Sequence, residues 1–161
     1  YTIVPPGRSY QWNNNNYHAA AARNVFGISG SGLLQFPNWR SATGFDGNSN
    51  ATSTVLPDTV IVRPNTYQPG RANVLIYSFS GATTASINLA LSGLVNGQGY
   101  TIRNAQNYYG PAVASGTFSS GNSNIVVPIT GVAAGVATPL GYSFTPASTC
   151  PQFCPMIVVP N

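Results

Sequence analysis

The chain has 161 residues, of which six are Lys or Arg and two are Asp or Glu; an ordinary soluble domain of this length carries roughly forty charged side chains. The cations are Arg8, Arg23, Arg40, Arg63, Arg71 and Arg103, and the acids are Asp46 and Asp58. So few ligands exclude a metal site built mainly from carboxylates, and a net charge of +4 on scattered arginines lacks the concentrated basic face that nucleic acid requires.

A hydrophobic content of 43% is enough to bury a core, and it is not the low-hydrophobicity, high-charge signature of disorder. The polar surface must come from Asn, Gln, Ser, Thr, Gly and Tyr. The longest apolar stretch, residues 129–144, is broken by Gly131, Gly135, Pro139 and Gly141, so no membrane span is expected. The chain opens at Tyr1 without Met or a basic-plus-apolar leader, and either a processed mature protein or a cut fragment is expected.

Residues 1–56 read as an irregular, extended N-terminal segment, a connector or an inter-subunit element. Thr2, Ile3 and Val4 form a short apolar run suited to adding a strand to a neighbour's open edge. An Asn run at 13–16 and an Ala run at 19–22 follow, with a short helix expected near 17–24. A second helical turn is expected over 37–43, with Pro37 near its start. Neither is expected to make a core. Asp46, Asn48 and Asn50 alternate like the first half of a calcium loop, but Ala51 stands where Gly is needed and Pro57 where the bidentate Glu belongs. An Asx turn at Asp46 is the simpler expectation.

Residues 57–161 read as strands. Ile87, Leu89 and Leu91 alternate with small or polar residues over 86–91, and Ile125, Val127 and Ile129 repeat that period with Pro128 marking an edge or bulge. Further strands are expected at 60–63, 73–79, 100–105, 112–118 and 156–159. Turn signals such as Asn96-Gly97 and Ser80-Gly81 recur about every dozen residues. This spacing predicts an all-β fold, an antiparallel β-sandwich of jelly-roll or Ig-like type. Cys150 and Cys154, flanked by prolines, are expected to close a local disulfide in an oxidising compartment. Two thiols cannot complete a zinc site, and the one histidine, His18, is far away in sequence.

Three blocks carry a resemblance. They are residues 39–46 (Trp-Arg-Ser-Ala-Thr-Gly-Phe-Asp), residues 60–73, which contain Tyr67-Gln68-Pro69-Gly70-Arg71, and residues 100–110, which contain Asn107-Tyr108-Tyr109-Gly110. Together they resemble the C-terminal region of secreted bacterial proteins with a right-handed parallel β-helix, where a small β-sandwich follows the last coils. The resemblance implies secretion and an all-β module. It imports no active site, because lyase or hydrolase chemistry in such proteins would sit on the helical stack. It departs from the family's pattern at Gln68 and Gln152, which stand where acids are expected, and at the cysteine pair.

No cofactor is expected. A Ser-His-Asp triad can be assembled only on paper from His18 and Asp46 or Asp58, because residues 27–31 lack the final Gly of a nucleophile elbow. The aromatics offer more. Tyr67, Tyr108, Tyr109 and Trp39 lie in polar sequence with Asn107 nearby, and flat rings beside amides suit stacking on sugars. Such rings equally suit a core edge or a protein interface. Arg63 and Arg71 are expected to satisfy loop carbonyls or to stack on Tyr67.

The expected function is therefore a non-catalytic, secreted structural protein that self-associates into an extracellular filament or cell-surface layer. The alternatives are a polysaccharide-binding or adhesin module and the C-terminal fragment of a β-helix polysaccharide-active enzyme.

Overall fold

The computed structural model describes residues 10–18, 24–28, 32–132 and 136–161; the strand expected at Thr2, Ile3 and Val4 lies outside them. The chain divides into two compact units, Tyr1–Leu56 and Pro57–Asn161. No described helix is long and apolar enough to cross a membrane.

The first unit contains β1 (Asn16–Tyr17), β2 (Phe26–Ile28), β3 (Gly32–Leu34), α1 (Phe36–Thr43) and β4 (Asn50–Ala51). β1 pairs in parallel with β4, and β2 pairs antiparallel with β3. Pro37 falls in the first turn of α1, where its missing N–H would have had no helical partner anyway. The helix stops at Gly44, whose φ of 71° lets its N–H return to the Arg40 carbonyl at 2.9 Å. Three residues apart on one helical face, Phe36 and Trp39 are both buried. They belong to an aromatic cluster in which Phe26 lies 5.0 Å from Phe36, 5.6 Å from Trp39 and 5.1 Å from Tyr17.

This unit therefore corrects the expectation of an irregular segment without a core. Its interior is built from rings rather than from periodic aliphatics, so no amphipathic pattern announced it. Tyr17 also departs from the helix expected at 17–24, since it lies in β1; residues 19–23 lie outside the described residues.

The second unit is mostly β. It contains β5 (Thr59–Pro64), β6 (Ala72–Tyr77), β7 (Thr84–Asn88), β8 (Gly99–Asn104), β9 (Ala114–Thr117), β10 (Asn124–Pro128) and β11 (Phe153–Pro160), with 3-10 turns at Leu89–Ser92 and Ala105–Asn107. A five-stranded antiparallel sheet runs β5-β6-β11-β8-β9, and β10 pairs antiparallel with β7. Alternation sends Val74 and Ile76, Met156 and Val158, and Tyr100 and Ile102 to one face of the large sheet. There they share a buried cluster with Ile87 and Val127 of the smaller sheet and with Ile129, Leu89, Leu94 and Phe118. Cys154 is buried in the same cluster and is disulfide-bonded to Cys150.

One strand is shorter than its alternation predicts. β7 ends at Asn88, whose side-chain oxygen accepts the Ala90 N–H at 3.1 Å. That local bond competes with the sheet ladder and starts a 3-10 turn. Ile87 and Leu89 are buried as expected, but Leu91 is turned outward and is 54% exposed.

The other face of the five-stranded sheet also carries apolar side chains. Residues paired across strands point to the same side, so Ile61, Leu75 and Pro155 form one row and Tyr77 and Phe153 another. All five are half-buried. The next row is Arg63, Asn73, Ile157 and Arg103, which brings two cations onto that face.

Candidate functional site

The sequence between β5 and β6 fixes one arm of the candidate site. The Asn65 side-chain oxygen accepts the N–H groups of Tyr67 and Gln68 at 2.8 and 3.0 Å, forming an Asx turn. A second turn follows over Gln68-Pro69-Gly70-Arg71, closed by the Arg71 N–H on the Gln68 carbonyl at 3.0 Å. Pro presets the first central position and Gly supplies the positive φ at the next. Gly70 has φ 84°, and a Cβ there would lie 3.1 Å from Leu94 Cδ2 and 3.2 Å from Pro160 Cβ. Its absence lets the turn sit close against the unit.

The other arm begins where β8 ends. Asn104 is buried, and its side-chain oxygen accepts the Gln106 N–H at 2.9 Å, so the strand gives way to the turn Ala105–Asn107. Gly110 then donates to the Asn107 carbonyl at 3.0 Å. A Cβ on Gly110 would come within 2.8 Å of the Asn107 side chain. This tight turn presents Tyr108 and Tyr109 together, their rings edge to face at 5.2 Å.

The two arms meet at Tyr108. Arg71 Nη2 donates to the Tyr108 hydroxyl at 2.7 Å, while Arg103 Nη1 donates to the carbonyls of Tyr108 and Gly110 at 3.1 and 2.9 Å. Both guanidinium carbons approach the same ring, at 5.8 Å for Arg71 and 5.7 Å for Arg103, within cation–π range. The Arg71 Nε is buried without a hydrogen-bond partner. Arg71 thus reaches Tyr108 rather than stacking on Tyr67, which is 96% exposed.

Neither acid compensates these cations. Asp58 accepts the N–H groups of Phe79 and Ser80 on one oxygen and the Ser80 and Ser78 hydroxyls on the other. The Ser80 hydroxyl and N–H hold its carboxyl below the ordinary carboxylate value. Asp46, fully buried in the first unit, accepts from Asn15 Nδ2 at 2.8 Å, from the Tyr17 hydroxyl at 2.8 Å and from the Ser49 hydroxyl. Three polar hydrogens converging on one carboxylate are the opposite of a cation's surroundings. Of the calcium candidates, Asn48 donates its N–H to Asn13 Oδ1, and Asn50 donates its own to the Asn15 carbonyl. Among the described residues no group of three His, Cys, Asp or Glu side chains could hold a metal ion.

The remaining candidates fall elsewhere. Trp39 is 4% exposed, with Trp12, Phe26 and Phe45 around it, so its ring has no face free for a sugar. The His18 Nδ1 lies 3.1 Å from the Thr54 carbonyl. A cleft of about 400 Å³ beside α1 is lined by Phe36, Pro37, Arg40, Ser41 and Phe45, among others. Its cation, Arg40, already donates to the Gly47 carbonyl at 2.7 Å.

Sequence reasoning missed the joint use of Arg71 and Arg103. The available signal was parity: in β8, Ile102 points to the core, so Arg103 points to the other face, as Arg63 does beside Val62. Compared with protein-family models, curated proteins and solved structures, the chain matches none.

Proposed function

We propose that this chain is a non-catalytic, secreted structural protein, a β-sandwich subunit that self-associates into an extracellular filament or cell-surface layer. The observation that carries this reading is the second apolar face of the five-stranded sheet, where Ile61, Leu75, Tyr77, Phe153 and Pro155 are half-buried on the side opposite the core. No charge lies in those two rows, so a second copy can cover them without stranding an ion. The neutral, amide-rich composition supports the same reading, because natural sheets usually discourage edge pairing with Lys and other charges. The Cys150–Cys154 disulfide favours an oxidising compartment. The resemblance of residues 39–46, 60–73 and 100–110 to secreted β-helix proteins supports secretion and a sandwich of jelly-roll or Ig-like type.

Sedimentation velocity over a range of concentrations, with electron microscopy of the same samples, tests the reading. The wild type is expected to form species larger than one chain. Leu75→Glu is expected to return it to single-chain mass with its melting temperature nearly unchanged. A wild type that stays monomeric at the highest concentration overturns the reading.

A second reading, a polysaccharide-binding or adhesin module, is favoured by Tyr109. The residue is 94% exposed and stands beside Tyr108 on a turn fixed by Arg103, which is how a sugar-stacking platform would be presented.

A further inference from the structure

We infer that Arg71 and Arg103 form a binding site for the anionic group of an acidic polysaccharide, with Tyr109 as the platform for the sugar ring; the inference rests on the second reading above. Two guanidinium groups are drawn to one ring, at 5.8 and 5.7 Å from its centroid. Two cations beside one ring make the local potential positive, which favours an anion there. Neither acidic side chain of the chain sits there. Asp58 is engaged by Ser78, Phe79 and Ser80, and Asp46 by Asn15, Tyr17 and Ser49.

Donor capacity remains. Among the described residues this pair donates through Nη2 of Arg71 and Nη1 of Arg103, and a guanidinium carries more N–H groups than these. The positions are also preorganised. Arg103 is clamped by two carbonyls of the Tyr108–Gly110 turn, and Arg71 follows the Gly70 turn onto the Tyr108 hydroxyl. Both side chains are half-buried, which weakens solvent screening and strengthens a charge-assisted bond to an oxyanion.

The neighbouring rings choose the ligand class. Tyr109 meets Tyr108 edge to face at 5.2 Å and is 94% exposed, so a flat ligand ring can lie against it beside the cation pair. A sugar carrying a carboxylate or sulfate offers both parts. Nucleic acid would need a longer run of cations along its backbone, and among the described residues only Arg63 joins Arg103 on the sheet face.

Isothermal titration calorimetry of the full chain tests the inference against four ligands: an oligogalacturonate, a sulfated dextran oligomer of matched length, neutral dextran and single-stranded DNA. The expected result is binding to one or both acidic glycans that weakens as salt is raised. The double substitution Arg71→Gln and Arg103→Gln should weaken it at least about tenfold. Which acidic glycan binds separates carboxylate from sulfate recognition. Binding to neutral dextran as tightly as to the acidic glycans keeps the polysaccharide reading and overturns the anion site. Binding to none overturns both, and DNA bound as tightly as the glycans reduces the site to unspecific charge attraction and overturns it. If the double variant unfolds, Arg71→Lys with Arg103→Lys, and the wild-type salt dependence, still decide: unaltered affinity in high salt rejects the site.

Discussion

The hydroxyl of Tyr17 donates to Asp46 Oδ2 at 2.8 Å, across 29 residues of sequence, and accepts the indole N–H of Trp12 at 2.8 Å. A buried carboxylate is tolerable only when its oxygens are satisfied, and here Asn15, Tyr17 and Ser49 do so. Asp46→Asn turns an NH₂ group toward those donors, and a loss on the order of 2–4 kcal/mol is expected. Both tryptophans of the chain, Trp12 and Trp39, lie in the first unit. Tryptophan fluorescence in urea therefore reports on this unit. A midpoint unmoved in Asp46→Asn would show that the network is not holding the unit.

The same bond sets an alkaline limit. Burial, and then the hydrogen bond to Asp46, raise the Tyr17 hydroxyl above its ordinary value of 10.0. A group whose folded value is raised keeps its full contribution below the unfolded value and loses it as pH climbs through the folded one. The fluorescence midpoint is thus expected to be flat up to about pH 10 and to fall beyond it. Tyr17→Phe should start lower and fall less steeply. Parallel declines in the two proteins would remove Tyr17 as the cause.

Asp58 works in the opposite direction at the acid end. Its carboxyl, held by the Ser80 hydroxyl first and then by backbone N–H groups, titrates below its ordinary 3.8. A depressed folded value gives stability that is present above the unfolded value and lost as pH falls through the folded one. The second unit is therefore expected to keep its stability from mildly alkaline to mildly acidic pH and to weaken only below about pH 4. Asp58→Asn should be less stable at neutral pH and show a shallower acid limb. Thermal melts of both proteins, followed by circular dichroism, give the comparison; a sharp transition of the wild type near pH 5 would contradict it.

The second unit's strands were legible because their period is simple. β5, β6, β8 and β11 each show alternation or an apolar run bounded by Gly, Pro or Asn, and the core face follows from parity. Pro37 and Gly44 likewise mark the ends of α1 in sequence. The first unit's core was hidden because its rings, Tyr17, Phe26, Phe36, Trp39 and Phe45, come from separate short elements with no shared period. The same disguise made Trp39 look like a binding residue, since polar sequence on both sides says nothing about what packs on the ring. The Arg71–Tyr108–Arg103 arrangement was half legible. Both turns carry their chemistry in Asn65, Pro69, Gly70 and Gly110, but that they meet depends on β11 lying between β6 and β8, which no local pattern reveals.

Ile87 and Leu91 separate periodicity from structure most cleanly. Both belong to the alternating series over 86–91, and a strand running through Leu91 would bury them alike. Asn88 ends the strand instead, so Ile87 is fully buried in the core while Leu91 points outward. Truncating a buried isoleucine removes its transfer free energy and leaves a cavity, which costs about 2–5 kcal/mol, whereas an outward leucine of a surface turn should cost about 0.5 kcal/mol or less. Urea denaturation of Ile87→Ala and Leu91→Ala, monitored by circular dichroism, is expected to show a large shift for the first and almost none for the second. Equal large losses would mean that the strand continues through Leu91. Restoring a strand former with Asn88→Val removes the side-chain acceptor that starts the 3-10 turn and should destabilise the wild-type background, because Ala90 then loses its partner at the bend.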